Sequence, residues 1–206
     1  MVIEAVFFDF GGVIGKLDRD QIRQLEDSYG LQENDLLRSI YGIPEWRQAE
    51  TGSIPDQQWV DAANRALDEK AGKPVPQLHE EWRQLWHQFD DDVVSLIKTL
   101  GSDTNYRVGL ISNSTKRLEG ELLGPTGLGK LFEIVVNSAR LGIAKPDTRI
   151  YHHAADQMGV AYSACVHIDD LPPNIEGAIE AGFSAIHYEG HFPALVESLH
   201  ALGVDW

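Results

Sequence analysis

"FFDFGGVIG", residues 7–15, ends an apolar run on a single carboxylate, Asp9, and follows it with two glycines where a loop could carry a second acid. A run this short and this rich in aromatic and β-branched residues reads as a strand buried on both faces. Comparable runs occur at residues 2–8, 107–111, 133–136, 164–168 and 184–188, and helical spacing fills 116–123, 147–158 and 174–181 between them. Strand, helix, strand, repeated, predicts an α/β fold: a doubly wound, parallel, Rossmann-like sheet with helices on both faces.

The interval after the first strand breaks that rhythm. Residues 18–29, 34–41, 55–71 and 76–89 have helical spacing, and "YGIP", "ETGSIP" and "AGKPVP" supply turn glycines and helix-starting prolines. The expected division is a core of residues 1–14 and 91–206, with 15–90 inserted as a helical-bundle cap and 91–100 as a core helix. Trp46, Trp59, Trp82 and Trp86 fall in the insertion at helical spacing, which favours bundle core, with a Trp at the rim able to serve a ligand as well. His87 either faces the cleft or packs in the bundle.

A formal charge of −15 on 206 residues excludes the basic footprint that a nucleic-acid or anionic-membrane partner requires. No apolar run approaches the ~18 residues of a membrane span, and the N-terminus has no signal-like pattern, so the cytoplasm is the default location. The one cysteine, Cys165, lies in the apolar "SACVHI" and reads as a buried core thiol. A monomer and a homodimer are both compatible with this composition.

In a doubly wound sheet ligands bind beyond the carboxyl ends of the strands. Asp9 follows the first run, Ser112, Asn113 and Ser114 the second, Asp169 and Asp170 the fourth, and Lys145 lies in "GIAKP" past the third. Each has an ordinary structural use: Asp9 in a turn, Ser112 or Asn113 as a helix N-cap, Lys145 as a loop cation, the Asp pair as caps. Their joint occurrence at successive strand ends favours chemistry instead. A carboxylate can attack phosphorus, hydroxyl and ammonium groups can hold phosphoryl oxygens, and hard oxygen ligands suit Mg²⁺.

With "DFGGV", "LISNS", "GIAKPDTRIY" and "HIDDLPPNIEGAIEAG" in this order, the chain resembles the haloacid dehalogenase superfamily from residue 2 to about 190. Its insertion resembles the family's first class of cap, and its wording is similar to bacterial sugar-phosphate phosphatases of the glucose-1-phosphatase type. The resemblance implies Asp9 as nucleophile, Ser112 as phosphoryl-oxygen donor and Lys145 as stabilising cation. Mg²⁺ would be held by Asp9, the Gly11 carbonyl and Asp170, with Asp169 reaching a metal-bound water. Asn174 would support the acids, Asn113 and the Gly12 backbone the substrate loops. By position alone, Trp46, Arg47 and Glu50 in "EWRQAETGSI" would contact the leaving group of a small phosphorylated metabolite, although Arg47 could equally pair with a nearby Glu.

One departure stands out. Phosphatases of the superfamily usually have an Asp two residues after the nucleophile, where this chain has Gly11. The backbone ligand survives the change and the acid–base carboxyl does not. Asp18 and Glu50 are cap candidates to relay the proton. Gly11 also keeps two rivals open: metal-free 2-haloacid dehalogenation, and a member that binds a phosphorylated ligand or protein without turnover.

Overall fold

The computed structural model describes residues 2–85, 88–103 and 106–206. Strands β1 (Ala5–Phe8), β2 (Arg107–Ser112), β3 (Ile134–Asn137), β4 (Cys165–Asp169) and β5 (Ser184–His187) form one parallel sheet in the order β3-β2-β1-β4-β5. The inserted helices are α1 (Arg19–Tyr29), α2 (Asp35–Tyr41), α3 (Pro44–Ala49), α4 (Asp56–Ala71) and α5 (Pro76–Gln84). The chain then passes through α6 (Asp91–Asp103), the short α7 (Gly124–Thr126) and α8 (Ser138–Leu141), α9 (Thr148–Met158), α10 (Pro172–Glu180) and α11 (Phe192–Ala201).

Side-chain alternation along β1 divides the core. Val6 and Phe8 face α6 and α11 together with Leu110 and Ile168, while Ala5 and Phe7 face Tyr151, Ala154 and Met158 of α9 and Ala178 of α10. Both faces are sealed, which explains the continuous apolar runs. Phe8 pairs with Leu110 on one side and Ile168 on the other. That register delivers Asp9, Ser112 and Asp169 to one edge.

The inserted helices have a core of their own, with Ile22, Leu36, Ile40, Leu67, Leu78, Trp59 and Trp82 buried together. Burial of each such side chain stabilises by about 1.5–3 kcal/mol. Asp18 caps α1 by accepting the amides of Asp20 and Gln21, and Gly30 ends it in the left-handed conformation. The Trp59 indole donates to the Ile40 carbonyl at 2.8 Å, so this buried ring leaves no orphaned polar atom. The expected bundle-core role holds for Trp59 and Trp82, which are buried, and Trp46 is half-buried. Trp86 and His87 lie outside the described residues.

Several expected elements differ. The helix expected over 76–89 ends at Gln84, because the returning chain lies beside the outgoing one: Lys16 N donates to Gln88 O at 2.8 Å, Asp90 N to Ile14 O at 2.9 Å, and Gly15 bridges Phe89. In place of a regular helix over 116–123, Leu118–Leu123 forms a wide π-type turn running into α7. Pro125 lacks the amide that would continue an α-helical ladder there. The first strand ladder begins at Ala5, with Val2 exposed. Helices α3, α8 and α11 lie outside the expected set. Cys165 is buried as expected, and desolvation, with Glu4 nearby, pushes its thiol up to about 12.

Candidate active site

The chemistry-bearing side chains converge where β1, β2 and β4 end. Lys145 is fully sequestered and spends its three protons on the Ile111 carbonyl at 2.9 Å, Asp9 Oδ1 at 3.0 Å and Asp169 Oδ2 at 2.5 Å. Asp9 Oδ1 also accepts the Phe10 amide at 2.7 Å. Asp169 is fully engaged: its Oδ1 accepts from Leu171 N and Asn174 Nδ2, both at 2.9 Å, and its Oδ2 from Lys145 and His167 Nε2, the latter at 3.0 Å. Since a carboxylate only accepts, His167 carries its proton on Nε2. Ser112 is buried, yet its hydroxyl has no protein partner among the described residues and lines the cavity above the sheet edge.

Burial pushes the Asp9 carboxyl up; Lys145 opposes this, Asp169 and Asp170 add to it, and the net shift is upward. Asp170 is also raised, by burial and then by Asp169. Asp169 goes the other way: burial is outweighed by Lys145 and His167, which hold it well below the usual carboxylate range. Burial disfavours the Lys145 cation, but Asp9 and Asp169 more than restore it. His167 is shifted down, chiefly by burial, which favours its neutral form.

Oxygens of Asp9, Asp169 and Asp170 lie within 4.8 Å of one another. These three carboxylates meet a single ammonium, a formal excess of two negative charges. Hard oxygen donors with that excess fit a divalent cation such as Mg²⁺. Asp9 Oδ2 and the Asp170 carboxylate have no side-chain hydrogen bond from the protein among the described residues, whereas the four acceptor positions of Asp169 are taken. Asp169 therefore anchors Lys145 and does not present a free oxygen of its own.

Gly12 and Asn113, both in the cavity wall, also hold the loops together. Gly12 donates its amide to the Gly15 carbonyl at 2.9 Å, closing a turn, so that amide is not free for a substrate. Gly12 has φ +75°, and a Cβ there would meet Asp170 Oδ2 at 2.2 Å, so it makes room for Asp170. The Asn113 amide is consumed by the Lys145 backbone, donating to its carbonyl and accepting its N–H, both at 2.8 Å. It positions the lysine, supporting the loop from the cavity wall.

The cavity, about 1110 Å³, runs from Asp9, Gly11, Ser112, Lys145 and Asp170 to the inserted helices. Trp46, Arg47 and Glu50 line it as expected, and Arg47 does pair with a Glu, the buried Glu50, at 3.2 Å. Asn174 sits behind Asp169, as expected, and the Tyr151 hydroxyl donates to its carbonyl at 2.7 Å. Two polar residues were not anticipated. His167 supports Asp169 from the same strand face, a two-residue spacing visible in "HID". His187, at the end of β5, lines the cavity and contacts the Asp170 carbonyl at 3.0 Å; the strand-end rule points to it as well.

A family model described as haloacid dehalogenase-like hydrolase matches residues 3–182. D-ribitol-5-phosphate phosphatase of Bacteroides thetaiotaomicron is 28% identical over the whole of this chain and 95% of that protein. A HAD family enzyme from the same organism, crystallised with magnesium and inorganic phosphate, superposes with a TM-score of 0.67 at 23% identity, covering 92% of this chain and 96% of that one. The L-2-haloacid dehalogenase of Xanthobacter autotrophicus also has a TM-score of 0.67, at 19% identity, covering 99% and 85% of the two chains. At these identities the structural likenesses show the fold alone. The family match spans the strand ends that carry Asp9, Ser112, Lys145 and Asp169, and the chain belongs to the haloacid dehalogenase-like hydrolases.

Proposed function

We propose that this hydrolase is a Mg²⁺-dependent phosphatase of a small sugar or polyol phosphate, working through an aspartyl-phosphate on Asp9. The observation that carries this reading is the excess of two negative charges beside Lys145, at the mouth of a cavity that also exposes the Ser112 hydroxyl. A dehalogenase attacking a carboxylate substrate without a metal has no use for Asp170 and would suffer its repulsion. The phosphatase name of the full-length relative supports the same class of substrate.

In this reading Asp9 Oδ2, free of protein partners among the described residues, attacks phosphorus, while Oδ1 stays tethered to Lys145 and the Phe10 amide. Ser112 donates to a phosphoryl oxygen as charge develops, and Lys145, bound to Asp9, supplies positive charge beside it. Asp9, Asp170 and the Gly11 carbonyl would hold Mg²⁺, which supplies charge neutralisation to an entering dianion. Residues 15–90 act as a cap on a core of 1–14 and 91–206, shielding the reaction from water and selecting the leaving group.

Phosphate release from ribitol 5-phosphate, other sugar phosphates and acetyl phosphate, with Mg²⁺ and with chelator, tests the proposal. Release that needs Mg²⁺ and is abolished by Asp9→Asn is the expected result. Halide release from a 2-haloacid in chelator, with no phosphate release from any ester, would overturn it.

A further inference from the structure

Gly11 leaves the core without a side chain to protonate the departing oxygen, so the donor must come from another wall of the cavity. Most titratable groups there are committed. Asp18 caps α1 with Oδ1 and is exposed. Lys16 pairs with Asp90 at 2.8 Å, and Glu121 pairs with Arg117 at 2.6 Å. His187 is exposed and turned to the Asp170 carbonyl.

Glu50 is also paired, with Arg47, but unlike Asp18, Lys16, Glu121 and His187 it is buried. It follows α3 and is only 3% exposed, yet it lines the same cavity as Asp9, Ser112 and Lys145. Oε1 accepts from Arg47 at 3.2 Å, and Oε2 has no protein hydrogen bond among the described residues and is not sealed from the cavity. The loop that carries it is docked onto the core: Gly52, at φ +67°, lies so close to Ala139 that a Cβ would meet its carbonyl oxygen at 2.1 Å. Ser138, next to Ala139, donates to the Ser114 carbonyl and accepts the Ser114 amide just after Ser112. Backbone contacts therefore tie Glu50 to the β2 and β3 strand ends. Burial raises its carboxyl; Arg47 and, across the cavity, Lys145 oppose this without cancelling it.

We propose that Glu50 is the general acid–base of this hydrolase, taking from the cap the task that Gly11 cannot perform. The role rests on the phosphatase reading. As an Asp9 oxygen forms its bond to phosphorus, the bond from phosphorus to the leaving oxygen breaks and the Glu50 proton passes to that oxygen, releasing an alcohol. The resulting glutamate then takes a proton from the water whose oxygen attacks phosphorus. The acyl-phosphate bond breaks, and Asp9 carboxylate, phosphate and the Glu50 acid are restored.

The test compares kcat/KM of native protein and Glu50→Gln on an alkyl phosphate and on acetyl phosphate, since kcat/KM reports steps only through leaving-group departure. Loss of general acid assistance should cost about 10²–10⁴-fold on the poor leaving group and no more than a few-fold on the good one. Glu50→Asp should recover part of the loss, and adding Gly11→Asp to Glu50→Gln should restore activity selectively on the alkyl phosphate. Equal losses on both substrates would reduce Glu50 to a holder of the cap, and no loss on either would remove it from the reaction. Absence of any Asp9-dependent phosphate release from native protein would overturn the phosphatase reading and this role with it; Asp9-dependent release untouched by Glu50→Gln would overturn the role alone.

Discussion

At the carboxyl edge of the sheet, Asp9, Lys145, His167, Asp169 and Asn174 are buried side by side, whereas the inserted helices bury an apolar cluster of Leu36, Leu67, Leu78, Trp59 and Trp82, and their buried carboxylates Glu26, Asp35 and Glu50 are each held separately by backbone amides or a cation. The helical interior largely follows the rule for stability: apolar area leaves water, and the buried indoles of Trp59 and Trp82 donate to the Ile40 carbonyl and the Asn64 side-chain oxygen. The sheet edge breaks that rule. It desolvates two carboxylates against one ammonium, and such groups, once paired, contribute little or nothing over apolar residues of the same shape. An arrangement that costs desolvation energy and leaves negative charge uncompensated is explained by what it binds. Mutations should separate the two regions, one reporting in activity and the other in stability.

The largest effect is expected for Asp9→Asn. Turnover should fall by at least about 10⁴-fold with loss of the nucleophile. The midpoint of urea unfolding should not fall, because a crowded carboxylate is removed and the Phe10 amide keeps an acceptor. Lys145→Met should damage both properties: Asp9 and Asp169 would remain buried without their cation, at a cost of about 3–5 kcal/mol measured by urea unfolding. Leu67→Ala, in the helical core and away from the cavity, should cost about 2–5 kcal/mol while kcat stays within a factor of about two. A kcat loss there as large as that of Asp9→Asn would erase the distinction between the regions.

Asp90 sits where the regions join, accepting from the Asp92 and Val93 amides, from Lys16 at 2.8 Å and from Tyr188 at 3.1 Å. Burial pushes its carboxyl up, but Lys16, the Val93 amide and Tyr188 together bring it below 3.8. A carboxyl lowered by folding contributes stability above its unfolded pKa and loses it as pH falls through the folded one. Asp90→Asn should therefore cost about 1–3 kcal/mol at pH 7, and its unfolding midpoint should converge with that of native protein on acidification through the carboxylate range. A deficit that persists in acid would contradict this. The smallest effect is expected for Gly52→Ala, where the left-handed backbone and the Ala139 carbonyl both resist a Cβ. A loss of about 1–2 kcal/mol, with a rise in KM, would mark the docking of cap loop on core.

The sheet and its active edge were legible because buried parallel strands read as unbroken apolar runs, and the residues that follow such runs share an edge by register. Asp9, Ser112 and Asp169 came from that rule alone. Contacts between distant segments were not legible. The grip of Asn113 on the Lys145 backbone joins residues 32 apart, and the early end of α5 is decided by pairing between Gly15 and Phe89. The burial of Glu50 likewise depends on Gly52 meeting Ala139. Local spacing carries no trace of these, since each belongs to tertiary contact, which overrides local propensity.

The central claim is that Asp9 forms a covalent phosphoryl intermediate. Protein mixed with acetyl phosphate and Mg²⁺, quenched, and reduced with borohydride should yield homoserine at position 9 by peptide mass spectrometry, and none in chelator or in Asp9→Asn. Turnover of acetyl phosphate with Asp9 unmodified, or with the phosphoryl group trapped on another side chain, would contradict the account.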